Sequence, residues 1–313
     1  MAGAGDLPTV TIASPQLQAT FVPGAGMVCS SLRHDGAQLL AQRNGVRAYA
    51  ERGSTMGIPL LYPWANRLAG LRYPGAHAPV DLAREDPLLK LDANGLPIHG
   101  ALAGMLPWEL LDDNDATTGD RLHARLRWQR ADLLAIFPFA HVLELRARVD
   151  GATLTIETSV RAPADAPAHV RVSFGYHPYL TLAGVDRAAW LVELPVSRRL
   201  LLDERMIPTG ASVPFEDRRV QLAQTGWDDA FAVAAPQAVF AVSGGGRRIE
   251  LELREGYPYA QVYAPAGEQF VCFEPMTAPT NALISREDLP MVPAGGMFRA
   301  AFAISARRGI SDA

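Results

Sequence analysis

Leu143-Glu-Leu-Arg-Ala-Arg-Val-Asp-Gly-Ala-Thr-Leu-Thr-Ile-Glu-Thr-Ser-Val160 is the stretch that decides the fold. Leu143, Leu145, Ala147 and Val149 fall on one side of an extended chain, with Glu144, Arg146 and Arg148 on the other. A strand points successive side chains to opposite faces, so a period of two marks a strand with one buried face. Asp150-Gly151 interrupts the pattern, and Leu154, Ile156, Thr158 and Val160 resume it. Asp-Gly between two alternating runs predicts a hairpin with a type I′ turn, which needs positive φ at both central residues.

The pattern extends both ways from this hairpin. Upstream, Leu122, Ala124, Leu126 and Trp128 alternate with Arg121, His123, Arg125 and Arg127. Downstream, residues 239–243 and 249–253 flank Gly244-Gly245-Gly246, a second hairpin signal. Phe298, Ala300, Phe302 and Ile304 make a last strand. Helical periodicity is scarce, and the 24 prolines and 27 glycines are spread along the chain, as many turns require. The expectation is an all-β protein, a large antiparallel β-sandwich of two sheets packed face to face. Without a repeat or a linker-like tract, residues 1–313 are expected to form one unit.

The formal net charge of −4 argues against a nucleic-acid or anionic-membrane partner. Cys29 and Cys272 stand far apart with no CxxC spacing, so neither a disulfide framework nor a thiolate metal site is expected. Residues 1–9 lack the basic and apolar runs of a signal peptide, and no window approaches 18 uninterrupted apolar residues. The expected location is the cytoplasm. Glycine-rich phosphate loops, HExxH and GxSxG are all missing.

Four segments place polar residues among aromatics and prolines: Gly57-Ile-Pro-Leu-Leu-Tyr-Pro-Trp-Ala-Asn-Arg67, Leu96-Pro-Ile-His-Gly100, Phe174-Gly-Tyr-His-Pro-Tyr179 and Cys272-Phe-Glu-Pro-Met-Thr-Ala-Pro-Thr-Asn281. Proline fixes the backbone beside a functional group, and small-ligand sites combine aromatic walls with a few convergent polar groups. Taken singly, each residue also has an ordinary structural role. His177 before a proline can be a hydrogen-bonded strand residue, Glu274 can sit on a solvated edge, Arg67 can pair at the surface, and Asp228 can cap a turn.

Together, in this order, the segments resemble the aldose 1-epimerase (galactose mutarotase-like) family, with its Pro-aromatic-x-Asn-Arg, His-Gly, His-Pro-Tyr and Glu-Pro-x-Thr-x-x-x-Asn-Ala blocks. Here these are Pro63 to Arg67, His99-Gly100, His177-Pro178-Tyr179 and Glu274 to Ala282. Asp35-Gly36 between short strands also looks like the family's opening hairpin, so the resemblance spans roughly residues 10–305. It implies a galactose mutarotase-like supersandwich with a sugar in a cleft across one sheet. It implies His177 as general acid and Glu274 as general base. Arg67, Asn66 and His99 would bind sugar oxygens, and Asp228 would hold sugar hydroxyls, with Asp229 as its adjacent competitor. Trp64, Tyr176 and Trp227 are the candidates for the walls of the cleft. No metal and no cofactor is implied, the partner is a small-molecule sugar, and the chain would be a monomer or a homodimer.

Interconverting anomers means opening a hemiacetal. A base takes the proton of the C1 hydroxyl while an acid protonates the ring oxygen, and the roles reverse on closure. Histidine, with an ordinary pKa of about 6.5, and a carboxylate, at about 4.3, suit these parts. The sequence departs from the galactose mutarotases at Ala101, where they carry a second glycine, and at Gly175-Tyr176, where threonine usually precedes the histidine. These departures leave the sugar open. A hexose-6-phosphate mutarotase is the alternative, with Arg67, Arg72 and Arg286 as phosphate candidates by type. A non-catalytic sugar-binding or sensor protein would lack the His/Glu pair that this chain keeps.

Overall fold

The computed structural model describes residues 7–106, 108–111, 119–216 and 219–308. The central hairpin forms from His141–Asp150 and Thr153–Arg161. Leu143 pairs with Val160, Leu145 with Thr158 and Ala147 with Ile156, so both apolar rows share one face. The turn differs from the expectation. Asp150 pairs with Thr153, which makes Gly151 and Ala152 the central residues, and of these only Gly151 has positive φ, 55°. That is a II′-type pattern, with glycine first, and Asp150 closes the strand instead of leading the turn. At the triple glycine, Gly244 pairs with Arg247, and Gly245 and Gly246 both take positive φ, 54° and 69°, as a I′ turn needs. Asp35 and Gly36 do the same between Val28–His34 and Ala37–Gln38.

Among the described residues, two large antiparallel sheets carry the molecule. The nine-stranded sheet has the central hairpin in its middle, with Arg121–Trp128 on one side and Met297–Arg308, then Arg247–Glu255, on the other. The eight-stranded sheet places Trp227–Val233, Tyr259–Ala264 and Val271–Met276 side by side. Gly175–Tyr176 and Tyr179–Leu180 both pair with the last of these. A four-stranded sheet from Val10–Ala13 to Ala37–Gln38 completes the layers. Helices are few and short, at Gly45–Arg52, Ala131–Ile136 and Ala282–Ser285.

The core lies between the two large sheets. Phe240 of the nine-stranded sheet meets Phe273 of the eight-stranded one with ring centroids 5.3 Å apart. Phe302 meets Tyr176 at 5.0 Å, and Thr158 shares a 2.6 Å hydrogen bond with the Tyr176 hydroxyl. Aromatic burial dominates such cores, and truncating one ring costs about 3–5 kcal/mol. Because Phe273 points inward, the neighbouring Cys272 and Glu274 must point out of the eight-stranded sheet. That outer face is covered rather than solvated, with Cys272 and Glu274 both buried. No helix among the described residues is long and apolar enough to cross a membrane.

Candidate active site

Strand register builds the site. Gly175 lies opposite Met276 and Tyr179 opposite Cys272. Counting inward from both ends, His177 faces Glu274 across the break that Pro178, lacking an N–H, leaves in the ladder. On its other side Glu274 faces Gln261. The result is a row of polar side chains on the outer face of the sheet. It runs between two small apolar clusters, one around Met276 with Leu61 and Tyr259, the other around Cys272 with Tyr179 and Phe270. His177 Nε2 stands 3.1 Å from Glu274 Oε1, and both side chains are nearly inaccessible, at 6% and 2%.

Gly175 permits this closeness: a Cβ there would lie 2.6 Å from the Pro275 carbonyl oxygen. Gly100, in the short strand Pro97–Ala101, allows a similar close approach to another backbone. It has φ of 73°, and a Cβ would meet the Tyr62 carbonyl at 2.2 Å. Its neighbour His99, itself at φ 64°, is held by a backbone bond from its N–H to the Asn66 carbonyl, 2.8 Å. The His99 ring stands edge-on to His177, centroids 5.6 Å apart. Arg67 donates through Nε to Asp92, 2.7 Å, and through Nη1 to the side-chain oxygen of Asn66, 2.9 Å. Asp228 accepts a 2.6 Å bond from Gln261.

Asn66, Arg67, His99, His177, Asp228 and Glu274 therefore line one cavity of about 230 Å³. Asp229, on the opposite face of its strand, stands 3.8 Å from Arg199 instead. The proposed aromatic walls do not lie there. Trp64 is fully buried against Tyr73, and Tyr176 is the core residue that bonds Thr158. Trp227 packs against the core as well. For Tyr176 and Trp227, both in strands, the period of two turns the ring inward while the adjacent His177 and Asp228 turn out. Arg72 sits at the surface near Asp81, 3.5 Å, and Arg286 ends the short helix at Ala282–Ser285, neither reaching the cavity. The walls come instead from Tyr179, stacked on His177 at 4.4 Å and 8°, and from Tyr263. Tyr179 was legible, since alternation puts it on the His177 side. Gln261 follows only from strand pairing, and Arg43 and Lys90, also lining the cavity, carry no sequence signal.

Burial sets the electrostatics. It drives His177 down to about 3, with the Arg43 cation adding to the effect. His99 is also lowered well below its ordinary range, by burial and then by the neighbouring His177 and Lys90. Glu274 is pushed well above the carboxylate range by burial and by Asp228, with Arg67 opposing. Both members of the central pair thus prefer the uncharged form, which fits a low-dielectric pocket. His99 Nδ1 and Gln261 Oε1 are buried with no protein partner, leaving hydrogen-bonding capacity for a polar ligand. A wider groove of about 460 Å³, lined by Arg254, Glu255 and Tyr257 among others, has no histidine beside its one carboxylate. Among the described residues no cluster of three or more His, Cys, Asp or Glu is arranged to hold a metal.

The sequence model of the aldose 1-epimerase family matches residues 8–293. The chain belongs to the aldose 1-epimerase family. It is 26% identical over 317 residues to an uncharacterized protein of Escherichia coli strain K12, YihR, covering 96% of this chain and 94% of that one. In structure it is similar to a galactose mutarotase-like protein from Clostridium acetobutylicum, with a TM-score of 0.82, 15% identity and 95% and 94% of the two chains covered. It is also similar to galactose 1-epimerase from Lactobacillus acidophilus, with a TM-score of 0.76, 14% identity and coverage of 99% and 97%. At these identities the two structures speak for the fold alone.

Proposed function

We propose that this protein is an aldose 1-epimerase, a mutarotase that interconverts the α and β anomers of an aldose, with His177 as general acid and Glu274 as general base. The single observation that carries the reading is the buried His177–Glu274 pair at 3.1 Å. The two oxygens that must exchange protons, the ring oxygen and the C1 hydroxyl, are bonded to the same carbon. An acid and a base that serve them must therefore stand side by side, not across a wide cleft.

The pair holds one transferable proton. Burial keeps it on Glu274, with His177 neutral. Moving it to His177 changes no net charge and arms both groups. Glu274 then takes the C1 hydroxyl proton as His177 gives its proton to the ring oxygen. The C1–ring oxygen bond breaks, the C1 carbonyl forms, and rotation about C1–C2 exposes the other face. Closure runs the transfers backwards. Each such proton step contributes about 10²–10⁴-fold. Arg67, already held by Asp92 and Asn66, offers donors to the developing negative charge, and Asp228 with Gln261 accepts and donates at the sugar hydroxyls.

The test is polarimetry on freshly dissolved α-glucose and α-galactose, with aldose phosphates beside them. Faster decay to the equilibrium rotation is the expected result. If the purified protein accelerates none of them, the enzyme reading is wrong.

A further inference from the structure

A second histidine, His141, is buried in the core with a polar partner that the proton transfers above do not use. It opens the strand His141–Asp150 of the nine-stranded sheet and pairs in register with Trp128. Its ring stacks on that of Trp128, centroids 5.7 Å apart at 16°, and stands edge-on to Phe137 at 5.9 Å. Tyr62 closes this aromatic box, edge-on to Trp128 at 5.3 Å. A polar ring in such a place costs free energy unless its nitrogens are bonded. Both are. His141 Nδ1 lies 2.6 Å from the Phe139 carbonyl oxygen, which can only accept, so Nδ1 carries the proton. Burial lowers the ring's pKa to about 4, which keeps it neutral. Nε2 is therefore an acceptor, and the Tyr62 hydroxyl donates to it. Burial holds that hydroxyl well above its ordinary pKa, so it stays a donor.

The bond spans the sandwich. Tyr62 directly follows Leu60–Leu61, the edge of the eight-stranded sheet, and leads within five residues to Asn66 and Arg67. The Tyr62 carbonyl accepts from the Ala101 N–H at 2.9 Å, beside His99 and Gly100. Asn66 and His99 both take left-handed backbone, with φ of 53° and 64°. Residues other than glycine stay there only where their surroundings over-determine them. The His99 N–H donates to the Asn66 carbonyl, and the Leu68 N–H to that of Pro97 at 2.9 Å. These bonds tie the two left-handed segments to each other. The Tyr62 hydroxyl ties them to the opposite sheet.

We infer that His141 is a positioning residue for sugar binding: by holding the Tyr62 hydroxyl across the core, it fixes the backbone that presents Asn66, Arg67 and His99 to the cavity. This rests on the mutarotase reading above and adds to it a residue that does not line the cavity.

The test measures KM and kcat for mutarotation of whichever of glucose and galactose wild type turns over faster. Tyr62→Phe removes the hydroxyl and keeps the ring. His141→Asn keeps a donor for the Phe139 carbonyl and withdraws the acceptor from Tyr62. Each should raise KM about 3- to 10-fold, the worth of one hydrogen bond, with a smaller change in kcat, because neither His177 nor Glu274 belongs to this loop. The double variant should be no worse than either single one, since the same bond is lost in all three. Tyr176→Phe is the control. It also removes one buried hydroxyl bond between the sheets, and KM should not move. An equal rise in KM for Tyr176→Phe, additive losses in the double variant, or a loss carried by kcat as much as by KM overturns the inference. Amide exchange reads the same loop without activity. In Tyr62→Phe the His99 and Ala101 N–H groups should exchange about 3- to 10-fold faster, while that of Thr277, bonded to the Phe174 carbonyl at 3.0 Å, keeps its wild-type rate. Unchanged exchange at His99 and Ala101, or an equal change at Thr277, also overturns it. If wild type accelerates neither sugar, the mutarotase reading fails, and the exchange result still decides whether His141 anchors the loop.

Discussion

Among the described residues two histidine–glutamate pairs stand out, one on the outer face of each large sheet. His123 Nε2 and Glu144 Oε2 stand 3.5 Å apart on the nine-stranded sheet, and His177 and Glu274 stand 3.1 Å apart on the eight-stranded one. Residue types and distances are nearly the same. The surroundings are not. Glu144 is 20% exposed, has Arg146 at 4.0 Å and lies beside a strand bearing Arg125 and Arg127. Glu274 is 2% exposed, with Gln261 and Cys272 for neighbours and Asp228 raising its pKa. Water reaches the carboxylate of the first pair, and an arginine stands beside it. The second pair is shut away from water, burial perturbs both of its members strongly, and perturbed titratable groups converging on a cavity are the mark of chemistry.

The largest contrast should appear in rate. Glu274→Gln removes the base while keeping the shape, and mutarotation should fall by about 10²–10⁴-fold. Glu144→Gln should leave it within about twofold, as surface changes commonly do. Equal rates in polarimetry for wild type and Glu274→Gln would break the contrast outright.

The next effect is in pH. With His177 pushed down to about 3, the acid limb of kcat/KM should lie far below the usual histidine value, giving no step near 6.5. A clear inflection there would show that the buried histidine titrates normally. Stability carries the opposite signature for Glu274. Its folded pKa is raised, so the folded chain holds a proton that the unfolded chain releases above the ordinary value of 4.5. Its contribution is fully present below 4.5 and is lost as pH rises towards the folded value, by up to about 1.4 kcal/mol per pH unit. Glu274→Gln cannot ionise. Its melting temperature should therefore gain on wild type as pH rises, and a constant difference would count against the raised pKa.

How much of this was legible varies with what each feature depends on. The sandwich was readable because period-two patterns and turn signals are local, as in Leu143 to Val160. The Gly151 turn slipped by one residue because Asp-Gly does not say whether the aspartate ends the strand or opens the turn. His177 and Glu274 were readable only through four ordered segments, since their pairing depends on register across 97 positions. Arg43 and Lys90 were not readable at all. Arg43 lies in an irregular segment, and Lys90 is the middle of the three-residue strand Leu89–Leu91, too short to show a period. Tyr176 lies in the core because alternation turns a residue adjacent to His177 to the opposite face, and Trp64 lies in an irregular segment where no periodicity fixes its direction.

The smallest effect tests that last point within a single strand. Tyr176 and His177 are adjacent, one facing the core and one the cavity. Tyr176→Phe keeps the ring against Phe302 and removes only the hydroxyl that bonds Thr158 at 2.6 Å between the sheets. The buried Thr158 hydroxyl then loses its partner, which costs about 1–3 kcal/mol. Thermal unfolding should shift down accordingly while KM stays within about twofold of wild type. A rise in KM with unchanged melting would put Tyr176 back among the sugar contacts, and would mean that the division between the two faces of this strand is less complete than its burial indicates.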